Sequence, residues 1–316
     1  MRSRQHVVVG GNFATYAGAA VTIPISAFII VKNEEKRLPR TISALKPWVD
    51  EIIVVDSGSS DRTMELARSL GAKVSYNEWK GYGSQKGFAE RLCRNMWVLN
   101  IDADEVVTPE LAAEIQTLFP GGRAPDPAAY RLRILTVYPG EDKPRPWAND
   151  YNEVRLYHRS AGAYREHPVY DRVILGNMEP RQLRQPIFHY SYLSFSHIIE
   201  KNNHFSSFRS QNSQRRSAAY LKFRLAIEFP LNFLKCYFGR RHIFGGWKGF
   251  YFALCHAFMR TTRIAKMLEL AWGQEKPEDA EVFVTLPAAR RARASIKAEA
   301  AQPSLVSLMH RKEVGR

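Results

Sequence analysis

The fold is decided by a short apolar run that ends in an acidic turn, Glu51-Ile52-Ile53-Val54-Val55-Asp56-Ser57-Gly58-Ser59-Ser60-Asp61. The run over 52–55 is β-branched throughout, which favours a strand buried on both faces of a parallel sheet. Asp61 is placed to cap a helix over 63–70, and Gly71 is placed to end it. The stretch therefore predicts one strand–turn–helix unit.

The same unit recurs on both sides of this stretch. Apolar strands are expected at 26–31, 73–76 and 96–101, and helices at 38–48, 85–94 and 109–119, the last opened by Thr108 and Pro109 as N-cap and first helical residue. Repeated β-α units predict the α/β fold class, with a mostly parallel sheet covered by helices on both faces.

Acidic residues follow two of these strands, where ligands bind in parallel α/β sheets. Asp56 ends the second strand, and Asp102 and Asp104 follow the fourth. An Asp-x-Asp pair can present both carboxylates to one hard cation such as Mg²⁺ or Mn²⁺, which shares its oxygen ligands with substrate phosphates. The alternative is that these residues only cap turns, as Asp often does.

Four motifs together resemble a family 2 glycosyltransferase of GT-A fold, most like the bacterial lipopolysaccharide core β-glucosyltransferases. They are Phe28-Ile-Ile-Val-Lys-Asn-Glu-Glu35, the stretch from Glu51 through Asp61 to Thr63, Gln85-Lys-Gly-Phe-Ala89 and Leu99-Asn-Ile-Asp-Ala-Asp-Glu105. The resemblance extends over about residues 24–270. It implies a nucleotide-sugar transferase that uses a divalent cation, Mg²⁺ or Mn²⁺.

The resemblance also assigns the donor site. It implies that Asp56 contacts the uracil or ribose of a UDP-sugar, and that Asp102 and Asp104 hold the diphosphate through the cation. It places Lys86 near the nucleotide, although a solvated helix lysine would be equally ordinary.

The same resemblance adds Asn33 and Glu34 to the nucleotide-sugar contacts. For these two residues the alternative is that they only cap the first helix.

The acceptor side has a less explicit pattern. Related transferases carry a Val-His-Glu-like motif, and Val169-Tyr170-Asp171 stands at that place here with Tyr for His and Asp for Glu. An inverting transfer needs a general base near the acceptor hydroxyl, and a carboxylate can serve. Asp171 is the first choice for this base, and Glu166 and His167 remain rivals. By the same resemblance, His189 could touch the donor diphosphate or the metal, but a lone histidine in an aromatic strand is interpreted first as a structural residue.

Charge is concentrated in one segment. The chain carries a formal net charge of +15, and residues 201–272 hold 13 Lys and Arg against 2 Asp and Glu. A nearly neutral body with one basic, aromatic block favours docking to an anionic partner, first of all anionic lipid. No nucleic-acid partner is expected, because a nucleic-acid groove would leave the two strand-end acidic clusters unexplained.

The basic block predicts amphipathic helices. Arg224, Glu228, Asn232 and Lys235 share one helical face, the rest is apolar, and Pro230 is expected to kink or split this helix. A later uncharged run, 249–259, has 11 residues, which is short of the roughly 18–20 that span a bilayer. Lying in the membrane interface and packing on the catalytic domain both remain open.

Four segments result. Residues 1–23 are expected to be a loose extension rather than a signal peptide or anchor, 24–210 the GT-A domain, 211–272 the membrane-associating helices and 273–316 a basic, Ala/Arg-rich tail. The three cysteines are too few for a disulfide scaffold, which favours a reducing compartment.

The overall expectation is a peripheral enzyme at the cytoplasmic face of a bacterial inner membrane. It would move a sugar, first of all glucose from UDP-glucose, to a lipopolysaccharide core or other lipid-linked saccharide. Transfer to another polysaccharide or to a protein, and a non-catalytic basic protein that binds nucleic acid, are the alternatives.

Overall fold

The computed structural model describes residues 22–148, 150–165, 171–211, 213 and 216–271. Ten strands lie in its α/β part: β1 (Ile23–Val31), β2 (Val49–Asp56), β3 (Lys73–Tyr76), β4 (Trp97–Asn100), β5 (Glu105–Val107), β6 (Ala129–Thr136), β7 (Tyr151–His158), β8 (Gly162–Tyr164), β9 (Val173–Leu175) and β10 (Arg181–His189). Seven helices accompany them: α1 (Leu38–Leu45), α2 (Thr63–Ser69), α3 (Tyr82–Arg91), α4 (Pro109–Thr117), α5 (Phe195–Gln211), α6 (Ala218–Leu234) and α7 (Gly246–Ala271).

Eight of the strands form one sheet in the order β3-β2-β1-β4-β7-β6-β10-β5. The first four are parallel, β7 is antiparallel to both of its neighbours, β10 is parallel to β6, and β5 is antiparallel to β10. The predicted α/β fold with a mostly parallel sheet is confirmed. The insertion of the antiparallel strand β7 beside β4 was not predicted.

Both faces of the sheet are covered, as the continuous apolar strands require. On one face, Leu38, Ile42 and Leu45 of α1 pack on the sheet, and their spacing places them on one side of the helix. On the other face, Phe28 packs with Ala89 of α3. Burying both faces fixes the strand register, which in turn fixes where each strand ends.

The helix ends predicted from the sequence are confirmed in part. The Thr108 hydroxyl accepts a hydrogen bond from the Leu111 amide at 3.2 Å, so the predicted N-cap of α4 is confirmed. Gly71 follows α2 with a φ of 91°, the left-handed conformation that glycine adopts without strain. The Asp61 carboxylate accepts from the Thr63 amide at 3.0 Å, although Arg62 is the N-cap residue of α2.

The C-terminal helices α6 and α7 pack through both apolar and polar residues. Leu221 of α6 packs with Ile264 and Leu268 of α7, and Glu228, 2% exposed, pairs with Arg260 of α7. Four apolar residues of α6 and the turn after it are 50–64% exposed, and we call them the apolar outer face: Phe223, Leu231, Leu234 and Phe238. Helix α6 continues through Pro230 and is followed by a π-helical turn at Lys235–Gly239, so the expected split is wrong.

Parts of the expected segment division lie outside the described residues, namely positions 1–21 and the tail from 272 onward. Within the described part, the first strand begins at Ile23, and helix α7 continues to Ala271. No helix in the described ranges is both long and apolar enough to cross a bilayer.

Candidate functional site

Parallel pairing brings the ends of three strands to one edge of the sheet. Val31 of β1 lies beside Asp56 of β2, and Phe28 of β1 lies beside Asn100 of β4. The residues that follow β4, Asp102 and Asp104, therefore lie at the same edge as Asp56. This is the arrangement that the sequence predicts for a ligand site.

Asp56 holds the turn that follows β2. Its carboxylate accepts hydrogen bonds from the Gly58 amide at 2.8 Å and the Ser59 amide at 3.0 Å, and from the Ser59 hydroxyl. The residue is 1% exposed. The described contacts are thus those of a turn cap, and the uracil or ribose contact stays a prediction.

Asn33 ties this turn to the one that follows β1. Its amide donates to the Ser59 hydroxyl, and its side-chain oxygen accepts from the Ser60 amide, each at 2.8 Å. Asn33 has a φ of 57°, a conformation that asparagine tolerates better than most residues. It does not cap α1, whose N-cap residue is Arg37.

Glu34 lies on the inner side of the same turn. Its carboxylate pairs with Arg37 at 2.6 Å, and its backbone amide donates to the Thr63 hydroxyl at 2.7 Å. Burial raises the pKa of Glu34 although the Arg37 guanidinium acts to lower it. Asn33 and Glu34 therefore join the two turns into one rigid rim.

Lys86 lies at the centre of the site. Its ammonium, 1% exposed, is 2.8 Å from Asp102 Oδ1 and 3.0 Å from Asp171 Oδ2. The structure thus brings together three residues that the sequence proposed separately. The alternative of a solvated surface lysine does not hold, because Lys86 is enclosed.

Asp102 is held from a second side by Arg155 of β7. Arg155 Nη2 is 2.9 Å from Asp102 Oδ2 and 3.0 Å from Glu105 Oε1, and Glu105 is fully buried. The Asp102 amide also donates to Glu105 at 2.9 Å. Asp102 therefore has both carboxylate oxygens engaged by cationic side chains.

Asp104 faces a different set of groups. Its carboxylate is 3.3 Å from His189 Nε2 at the end of β10, 3.4 Å from Arg37 and 3.5 Å from Lys201 of α5. His189 Nδ1 is 2.9 Å from the Tyr151 hydroxyl, which orients the ring. We call Lys86, Asp102, Asp104, Arg155 and His189 the strand-end cluster.

The electrostatics of the cluster follow from burial and pairing. Burial acts to raise the pKa of Asp102, but Arg155 and Lys86 hold it well below its usual range. For Asp104 burial acts the same way, and His189 with Lys201 lowers its pKa.

The basic partners shift in the opposite direction. Burial acts to lower the pKa of Lys86 and of His189, yet Asp102 raises the first and Asp104 raises the second. Each pairing in the cluster thus favours the charged form of both partners.

The donor set at Asp104 and His189 suits a divalent cation. Mg²⁺ and Mn²⁺ are commonly bound by one or two protein groups together with substrate phosphates. Among the described residues no three His, Cys, Asp or Glu side chains are grouped as a complete cation site. A cation here would thus take its remaining ligands from the diphosphate and water. Asp104 has three cationic neighbours, but they lie at 3.3–3.5 Å, against 2.8 and 2.9 Å for the two partners of Asp102, so Asp104 is the carboxylate that a cation would engage more readily.

Sequence reasoning missed several members of the site. His189 was interpreted as structural, and Arg37, Arg155 and Lys201 were not proposed. One signal was present, since Arg155 is a charged residue inside the apolar strand run 154–157. Glu166 and His167, the rival bases, lie outside the described residues.

Comparison with known proteins places the chain in a class. The glycosyl transferase family 2 model matches residues 26–124. An uncharacterized glycosyltransferase of Rickettsia typhi is 38% identical over 255 residues, which is 78% of this chain and 87% of that protein. The lipopolysaccharide core biosynthesis glycosyltransferase LpsC of Rhizobium meliloti is 27% identical, over 77% of this chain and 92% of that protein.

Solved structures resemble parts of the chain. Glucosyl-3-phosphoglycerate synthase from Mycobacterium tuberculosis, in complex with Mn²⁺, UDP and glucosyl-3-phosphoglycerate, is 25% identical over 37% of this chain and 45% of that one, with a TM-score of 0.28. TarS of S. aureus is 14% identical over 80% of this chain and 92% of that one, with a TM-score of 0.41.

The α/β sheet with its strand-end acidic residues is that of a GT-A glycosyltransferase. On the strength of the family match and the Rickettsia relative, the chain belongs to glycosyl transferase family 2.

Proposed function

We propose that this protein is an inverting glycosyltransferase that moves a sugar, first of all glucose from UDP-glucose, to a lipopolysaccharide core or other lipid-linked saccharide. The observation that carries the donor side is the strand-end cluster, in which partly buried carboxylates and cations alternate at the carboxyl edge of the sheet. The acceptor class is supported by the name of the LpsC relative, which is a lipopolysaccharide core biosynthesis glycosyltransferase.

The donor diphosphate is expected to lie over Asp104. Arg37 and Lys201 flank this carboxylate and can donate charge-assisted hydrogen bonds to phosphate oxygens. Asp104 and His189 would hold Mg²⁺ or Mn²⁺, which supplies charge neutralisation of the leaving diphosphate. Asp56, Asn33 and Glu34 form the rim expected against the nucleoside.

Asp171 is the proposed base. Its carboxylate is 43% exposed, so an acceptor hydroxyl can reach it, while Lys86 holds one of its oxygens at 3.0 Å. In the transfer step Asp171 accepts the proton of the acceptor hydroxyl as that oxygen forms its bond to the anomeric carbon and the diphosphate leaves. Lys86 links this base to Asp102 and so fixes its place relative to the donor.

The donor assignment is tested by calorimetric titration of UDP-glucose into the full chain, with Mn²⁺ and with chelator. The double variant Asp102→Asn/Asp104→Asn should lose cation-dependent binding and turnover. The matched control is Asp50→Asn, because Asp50 lies at the opposite end of β2, where it pairs with Arg94. Turnover by the double variant in chelator at the unsubstituted rate would overturn the donor site.

The donor identity is tested by a thermal-shift screen of nucleotide sugars with and without Mn²⁺. A bound donor stabilises the native state by mass action, by about 2.7 kcal/mol at a hundredfold excess over Kd. UDP-glucose should give the largest shift. A larger shift with a sugar nucleotide of another base would move the proposal to that donor.

The membrane side of the proposal rests on the apolar outer face. Phe223 and Leu231 are 64% and 57% exposed on a helix whose buried side holds a carboxylate. Exposed apolar residues beside Lys and Arg suit insertion into the headgroup region of a membrane surface. We place the enzyme at the cytoplasmic face of the bacterial inner membrane, where a lipid-linked acceptor would be presented.

A further inference from the structure

A cavity of about 220 Å³ lies between the start of α6 and the middle of α7. Its floor is apolar and includes Leu221 and Ile264, both almost fully buried. Its rim carries three guanidinium groups, from Arg216, Arg224 and Arg263, and we call this cavity the arginine pocket. None of the residues that line it belongs to the strand-end cluster.

The guanidinium group of Arg263 lacks one of its hydrogen-bond partners within the pocket. Its Nε is buried and has no hydrogen-bond partner among the described residues. Burial lowers the pKa of Arg263, and the positive charges of Arg260 and Arg209 lower it further. A buried guanidinium nitrogen without an acceptor is costly, and an anion in the pocket would remove that cost.

The carboxylate nearest to the pocket is already engaged. Glu228 pairs with Arg224 and, at 3.1 Å, with Arg260. Across the described residues no carboxylate lies within ion-pair distance of Arg216 or Arg263. The pocket therefore has an excess of positive charge that the described chain does not compensate.

Two further features point to an anion with several oxygens. The pocket adjoins the first turn of α6, since Arg216, Tyr220 and Leu221 line it. The helix dipole is positive at this end. The Tyr220 hydroxyl, bound by Arg224 Nη1 at 3.0 Å, lies on the same rim. Planar guanidinium groups bind phosphate through paired hydrogen bonds, and they do so better than ammonium groups.

We propose that the arginine pocket binds a phosphate group, supplied by a lipid headgroup or by phosphate in solution. The apolar floor accommodates the carbon substituent of a phosphate ester, while Arg216 and Arg263 donate to its oxygens. Arg224 is already engaged by Glu228 and Tyr220. Tyr220, 43% exposed, and Phe223 on the next turn begin the apolar outer face beside the pocket. The inference goes beyond the transfer reaction, because it depends on no residue of the donor site.

The test compares two double variants of the full chain. Arg216→Gln/Arg263→Gln removes two rim guanidinium groups, and Lys222→Gln/Lys235→Gln removes the same charge from exposed positions of the segment that do not line the pocket. One arm titrates inorganic phosphate at constant ionic strength. The other arm measures flotation with phosphatidylcholine vesicles with and without phosphatidic acid.

With inorganic phosphate, the pocket variant should lose at least tenfold in affinity and the control less than twofold. With anionic vesicles both variants lose attraction to the surface, and the pocket variant should lose more than the control. Loss in both arms identifies a site open to phosphate from either source, and loss in the vesicle arm alone identifies a headgroup site. Equal behaviour of the two variants in both arms would overturn the proposal. The single variant Arg216→Gln, at an exposed position, repeats the test if circular dichroism shows that Arg263→Gln does not fold.

Binding of UDP-glucose serves as an independent measurement on the same variants. It should be unchanged in the pocket variant, because no donor-site residue is altered. If the pocket variant binds phosphate as well as the control does, the proposed transferase activity still stands. If the unsubstituted chain does not bind UDP-glucose, the proposed phosphate site still stands.

Discussion

The α/β part of the chain and the helices α6 and α7 place their apolar side chains in opposite ways. In the α/β part the large apolar residues of the central strands are enclosed, as with Phe28 and Trp97, which are at most 1% exposed, while others, such as Trp147 in a loop, are exposed. On α6 and α7 the large residues Phe223 and Trp247 are 64% and 66% exposed. The first arrangement encloses a sheet against water, and the second leaves apolar surface exposed on the two helices.

The two parts also differ in how their charged side chains are paired. The strand-end cluster pairs its cations and carboxylates almost one for one. The pair α6–α7 instead gathers several arginines around Glu228. We infer that the α/β part performs the chemistry and that the helical part holds the enzyme near its acceptor. Four sets of substitutions test this division.

The largest effect is expected for Asp171→Asn. The amide keeps the shape of the side chain but cannot accept the acceptor proton, so transfer should fall by roughly 10²–10⁴-fold. UDP-glucose affinity and vesicle binding should change little, as measured by titration and flotation.

Glu166→Gln and His167→Ala are the comparison variants for this base. Each should reduce transfer less than Asp171→Asn does. An inactive Glu166→Gln beside an active Asp171→Asn would move the base to Glu166.

The next effect is on folding, and it uses two phenylalanines with opposite exposure. Phe28→Ala empties a fully buried site beside Tyr164 and should lower the free energy of unfolding by about 3–5 kcal/mol. Phe223→Ala should change it by no more than about 0.5 kcal/mol. Urea unfolding of both variants measures the difference, and similar losses would mean that the outer face is covered within the chain.

Glu228→Gln should have an intermediate effect. The substitution leaves Arg224 and Arg260 without their shared carboxylate, and we expect a loss of about 1–3 kcal/mol in the free energy of unfolding. Burial acts to raise the pKa of Glu228, but the hydrogen bond from Arg224 and the charge of Arg260 lower it.

The pH dependence follows from that lowered pKa. The stabilisation by Glu228 is fully present above the ordinary glutamate pKa of about 4.3, and it is lost as pH falls through the lower folded value. The difference between Glu228→Gln and the unsubstituted chain should therefore shrink in acid. A difference that stays constant down to acid unfolding would contradict the assignment.

The smallest effect on stability is expected on the apolar outer face. Phe223→Ser/Leu231→Ser should change the free energy of unfolding within about 0.5 kcal/mol for each site. Flotation with anionic vesicles should nevertheless decrease, because apolar area that would enter the interface is lost. The comparison variant is Lys222→Gln, which removes a charge from α6 but no apolar side chain. Equal flotation of Lys222→Gln and Phe223→Ser/Leu231→Ser would count against membrane insertion.

Much of the α/β part was predictable because its signals are local. Each of these signals is recognisable within a few residues: the apolar runs of strand length, the acidic turn after β2 and the helix start at Thr108–Pro109. Asp102 and Asp104 were found by their position after such a run. Lys86 was predicted only from the family resemblance, because no local pattern distinguishes it from a surface lysine.

The rest of the site depends on pairings between distant strands. Arg155 reaches Asp102 because β7 inserts antiparallel beside β4, and a single strand sequence does not specify its neighbour. The orientation of α6 was unpredictable for a related reason. Its polar and apolar residues are visible in the sequence, but the burial of Glu228 depends on Arg260, 32 positions later.

The register of the edge strand β5 has a consequence for variation among relatives. Glu105 of β5 lies opposite His189 of β10, so backbone hydrogen bonds keep Asp104 and His189 side by side although they are far apart in the chain. Segments that leave and re-enter the sheet between them, such as 138–148, can lengthen or shorten without moving this pair. The segments around this pair are therefore free to diverge while Asp104 and His189 keep their relative position.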